Sequence, residues 1–118
     1  MIKKMSKSEG KVLGFKAVGT VTKADYNVLV PEVQALVDEE GSISLLLDLR
    51  QFKWEDIEAW GADINFGRTY RDKIEKLAIV GNKTWEKWVT ILADPFYSKE
   101  ARFFYSEDTD SAWKWLKE

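Results

Sequence analysis

Near the start of the chain Leu13, Phe15 and Ala17 interleave with Val12, Gly14, Lys16 and Val18. A period of two predicts a strand, and residues 2–6 supply a partner for residues 11–19 across a Ser8-Glu9-Gly10 turn. The period then lengthens. Tyr26, Leu29, Val30, Val33 and Val37 fall at helical spacing behind Thr22-Lys23-Ala24-Asp25, which has the form of a capping box, so a helix is expected over 23–39. Pro31 removes a backbone donor inside that helix and predicts a kink, and Gly41 ends it.

Ile43 to Leu49 is short, apolar and without strict alternation, the pattern of a central strand covered on both faces. Glu55-Asp56 suit the positive end of a second helix, with Ile57, Trp60, Gly61, Ile64 and Arg68 on one stripe to about Tyr70. Leu77 to Val80 reads as another strand, closed by Gly81. A third helix is expected from Asn82 to Leu92, where Trp85, Trp88, Val89 and Leu92 are spaced i, i+3, i+4, i+7, and Asp94-Pro95 stops it. Ala101 to Tyr105 makes the last strand. The acidic run from Ser106 to Asp110 then caps a final helix with Ala112, Trp115 and Leu116 on one face. The order β-β-α-β-α-β-α-β-α describes an α/β fold: a mixed, mostly parallel sheet with right-handed helical crossovers mainly on one face.

Composition narrows the function. At 118 residues one domain is expected, spanning 1–118. A net charge of −2 with mixed signs gives no footprint for nucleic acid. The absence of Cys and His excludes disulfides, thiolate nucleophiles, imidazole bases and the usual zinc ligands. No metal or other cofactor is implied, no nucleophile–base motif stands in their place, and a non-enzymatic role follows as the expectation. No apolar run reaches the length of a membrane span, and Met1 to Lys7 lacks a secretory core, so a cytoplasmic protein is expected. Six tryptophans then stand out, because each must line a core, a pocket or an interface.

Leu46-Leu47-Asp48-Leu49-Arg50, then Leu77 to Gly81 with Lys83 and Trp85, then Phe103-Phe104 and Ala112 with Trp115-Leu116, resemble the STAS domain. The closer resemblance is to the bacterial SpoIIAA-like family, related in fold to the anti-sigma-factor antagonist SpoIIAA. In the antagonist a phosphorylatable serine opens the helix after the strand that ends in Asp-Leu. The matching segment here, Lys53 to Gly61, holds no Ser or Thr, so that switch is not carried over. For the SpoIIAA-like family the resemblance implies similarity to CRAL-TRIO lipid-binding folds, with membrane association and an apolar ligand.

Two accounts of the charged and aromatic residues stay open. Asp48 and Arg50 either form a polar floor at the carboxyl ends of the strands or close a strand, Asp48 capping the next helix. Trp54, Trp60, Phe66, Trp85, Trp88 and Phe96 either line an apolar cavity between the second and third helices or pack as core. In the first account Arg50 and Lys83 stand at the mouth and hold an acidic head, and the ligand is a fatty-acid-like small molecule. The alternative function is a STAS-type protein-interaction module, including a homodimer. Arg68, Arg71, Lys73 and Lys76 read as a solvated basic face or a contact for an anionic head group.

Overall fold

The early alternation pairs as the sequence suggests: β1 (Ile2–Lys4) runs antiparallel to β2 (Val12–Val21), with Ile2 opposite Ala17 and Lys4 opposite Phe15. The structure, a computed structural model, describes residues 1–55, 65–66, 68–81 and 100–118, with only the backbone of Trp54 and Glu55. The central strand β3 (Ile43–Glu55) lies parallel to β2 on one side and to β4 (Ile74–Gly81) on the other. β5 (Glu100–Tyr105) follows, parallel to β4, and the order across the sheet is β1-β2-β3-β4-β5. In such a sheet right-handed crossovers all fall on one face. Accordingly α1 (Tyr26–Glu40) and the helical residues 65–66 and 68–70 share a face, while α2 (Thr109–Lys117), which is no crossover, covers the other.

Strand alternation sorts the core between these faces. Leu13, Phe15, Ile43, Leu45, Leu77 and Ile79 meet Leu29 and Val33 of α1, whereas Val12, Leu46, Ala78 and Val80 meet Ala112, Trp113, Trp115 and Leu116 of α2. Trp115 is therefore core, as its spacing implied.

The capping signal before α1 is used, since Asp25 Oδ2 accepts the Thr22 N–H at 2.7 Å. The helix continues through Pro31 to Glu40 and ends at Gly41, whose φ of 85° is open to glycine and whose N–H reaches Val37 O at 2.7 Å. Across this face Tyr70, buried, donates its hydroxyl to Gln34 Oε1 at 2.7 Å. Tyr70→Phe is expected to cost about 1 kcal/mol, the usual net worth of such a bond. A lower urea midpoint at unchanged slope would register it.

One boundary differs from expectation. Glu55 does not open a helix; it ends β3, which runs six residues past Leu49. The cause is β2, whose Val18 to Val21 continue upward and offer a parallel partner, so that Thr20 faces Trp54 and Val21 faces Glu55. Two register shifts make the match, and Gly19, at φ 65°, sits at the second. Trp54 is thus a strand residue.

Candidate functional site at the bulge of the central strand

The first register shift creates the site. Lys16 faces Asp48 and Val18 faces Gln51, so Leu49 and Arg50 together oppose the single residue Ala17. A bulge of this kind leaves a backbone group outside the ladder. Here Asp48 takes it: Oδ1 accepts the Arg50 N–H at 3.0 Å. The same carboxylate grips the side chain, Oδ1 accepting Nε at 2.9 Å and Oδ2 accepting Nη2 at 2.5 Å.

Asp48 is fully buried, while the Arg50 side chain remains 39% exposed. Burial alone would raise the Asp48 pKa. The hydrogen bonds from the Arg50 side chain and backbone, with the charges of Arg50 and Lys16, outweigh it and hold the carboxyl below its ordinary value. Arg50 is pushed up in turn, first by the side-chain bond to Asp48. Asp48 is therefore a fixed anion. With both oxygens engaged and no exposure, it is a poor candidate for a general base.

Neighbouring strands part at this point. The last pair of the β3–β4 ladder is Asp48 with Val80, and β4 ends at Gly81, while β3 continues along β2 to Glu55. Of the two strands β4 reaches its carboxyl end here, and the carboxyl ends of parallel strands are where open α/β sheets bind ligands.

The candidate residues distribute unevenly about it. Arg50 is in place, with Asp48 behind it. Trp54 follows on the same strand. Phe66 is buried in the core on the α1 face, its ring 6.5 Å from that of Tyr26 and 5.1 Å from that of Tyr70. Trp60, Lys83, Trp85, Trp88 and Phe96 lie outside the described residues.

Of the basic cluster, Arg68, Arg71 and Lys73 are exposed. Lys76 turns away from them. Its Nζ donates to Trp115 O at 3.0 Å and stands 5.3 Å over the indole, which Arg102 also approaches at 5.4 Å. Sequence reasoning also missed the partnership of Gly14 with Trp113. A glycine inside a strand signals close approach, and Trp113 fills the space it leaves.

A groove of about 240 Å³ lies at the other end of the molecule, between the turn before β2 and α1. Glu9, Glu32, Glu39 and Lys4 line it beside Val12, Leu13 and Leu36. Its carboxylates make it a poor seat for an apolar acid.

The profile of the SpoIIAA-like family matches residues 12–117. A crystal structure of an uncharacterized protein of the DUF3478 family with a SpoIIAA-like fold, from Shewanella loihica PV-4, superposes with a TM-score of 0.80 at 27% identity. The match covers 98% of this chain and 92% of that one. No curated protein matches.

Proposed function

This chain belongs to the SpoIIAA-like family, and from that premise we propose that it is a non-catalytic binding module for a lipophilic small molecule with an acidic head. The ligand enters at the carboxyl ends of β3 and β4. The observation that carries this reading is where the aromatic residues fall in the topology. Trp113 and Trp115 are spent in the core beneath α2. Of the other four tryptophans, Trp54 lies on the part of β3 that runs on past its ladder with β4, and Trp60, Trp85 and Trp88, with Lys83, follow in sequence within seven residues of the carboxyl ends of those two adjacent parallel strands. Arg50 stands at the point where the strands part.

Trp54, Trp60, Trp85, Trp88 and Phe96 then give the apolar wall, and Arg50 and Lys83 meet the head. Phe66 supports the wall from the core. Reversible contact with a membrane surface is the natural source of such a ligand. Among the described residues no helix is long and apolar enough to cross a membrane.

Each buried methylene contributes about 0.8 kcal/mol, so affinity should rise with chain length until the wall is filled. Titration with saturated fatty acids of increasing length is expected to shift tryptophan emission progressively, and Trp85→Ala to weaken binding of the longer acids most. Emission indifferent to chain length would defeat the reading.

A further inference from the structure

We infer that Asp48 is a positioning residue, which turns Arg50 into a fixed hydrogen-bonding receptor for a singly charged carboxylate head. This rests on the binding function proposed above and concerns which head that site accepts.

Three features of the pair carry it. First, an arginine side chain ordinarily has many rotamers, but this one is held at Nε and Nη2 by a carboxylate that also holds its own backbone N–H. The anchor cannot wander, because Asp48 is itself fully buried on the central strand. Second, among the described residues the fork is only half used: no acceptor but Asp48 meets the guanidinium there, and neither Nη1 hydrogen is engaged by them on a side chain 39% exposed. Third, the anion behind Arg50 offsets that side chain's own field at a distance, although Lys16 across the ladder also bears on the anion. What remains is short-range and directional, which suits a planar monoanion and gives a dianion little more.

The alternative role, a clamp that only secures the bulge, would leave ligand choice untouched. The two separate by salt. A receptor built on oriented hydrogen bonds keeps its selectivity when charge is screened, whereas a bare, mobile cation loses it.

The experiment compares dodecanoate, dodecanol and dodecyl phosphate on the native protein, Asp48→Asn and Arg50→Lys, at about 0.05 M and about 0.5 M NaCl. Native protein is expected to prefer dodecanoate to dodecanol by about tenfold at both salts, a charge-assisted bond's worth. In Lys83→Gln, which removes the second cation assigned to the head, dodecyl phosphate should bind within about twofold of dodecanoate. In Asp48→Asn an amide nitrogen faces Nη2 and opens the fork. Preference should then survive at low salt and fall below about twofold at high salt, with Arg50→Lys behaving alike. In ¹⁵N NMR the Arg50 Nε–H of native protein should be sharp and slow to exchange, and should lose both properties in Asp48→Asn.

Equal salt profiles for native protein and Asp48→Asn overturn the inference, as does a native preference that collapses with salt or much tighter binding of dodecyl phosphate than of dodecanoate by Lys83→Gln. Native binding of dodecanol and dodecanoate alike overturns it, and the acidic head of the proposed ligand with it, while binding of a lipophilic small molecule stands. If native protein binds none of the three probes, the binding function fails and the inference fails with it.

Discussion

Trp113→Ala is expected to lower the unfolding free energy by about 3–5 kcal/mol, the range for a large aromatic removed from a core. Trp113 is 3% exposed, and its ring lies across Gly14 of β2 with Met5 alongside. The space is one that only glycine leaves. A Cβ built on Gly14 would overlap Trp113 Cη2 and stand 3.0 Å from Cζ2, with Met5 Sδ at 3.4 Å. Gly14→Val is accordingly expected to cost about 1–3 kcal/mol through overpacking. The two penalties should not add. In the Trp113→Ala background a valine at 14 has room and fills part of the hole, so the double variant should be more stable than the sum predicts by about 1 kcal/mol or more. Urea unfolding followed by circular dichroism measures all three, and strict additivity would show that the ring and the glycine do not depend on each other. Trp113→Phe should cost less than its loss of volume implies. The indole Nε1 is buried without an acceptor among the described residues, and phenylalanine removes that donor altogether.

What could be read in advance divides along a physical line. Period two at residues 12–18 and helical period at 26–37 are local signals that each segment carries whole, and both elements form as read. The upper half of β3 is different, because Gln51 to Glu55 become a strand through Val18 to Val21, distant in sequence, which pair with them across two register shifts. The carboxylates of Glu55 and Asp56 imitate a helix start, and no residue nearby betrays the partner strand. Asp48 and Arg50 were legible as a strand-end pair two residues apart. Their shared role was not. Whether Asp48 caps a following helix or its own strand depends on where the bulge falls, and the register with Ala17 decides that. The same holds for Lys76, which in sequence joins Arg71 and Lys73 but in the sheet faces α2 and the Trp115 ring. The tryptophans presented the hardest case. Helical spacing alone assigned Trp115 correctly to core, yet Trp113 is buried as well, because Gly14 opens a place for it on the opposite strand.

Asp48→Ala is expected to cost about 2–3 kcal/mol at neutral pH. Breaking a buried pair usually costs about 3–5 kcal/mol, but the half-exposed Arg50 can recover water, which reduces the loss. What remains is chiefly the orphaned Arg50 amide and the released side chain. Acid separates this contribution from packing. The folded-state pKa of Asp48 lies below its ordinary value of 3.8, so its stabilising effect is fully present above that value. As pH falls through the folded pKa, the native protein takes up the proton and loses the contribution, while Arg50 stays charged throughout. The gap between native protein and Asp48→Ala should therefore be constant from about pH 7 to 5 and narrow below about pH 4. Asp25, also depressed, is common to both proteins and cancels in the difference. Denaturant midpoints measured from neutral pH to about pH 2 provide the test. A gap that does not narrow would mean that Asp48 contributes by shape alone, and that neither the bulge nor the orientation of Arg50 depends on its charge.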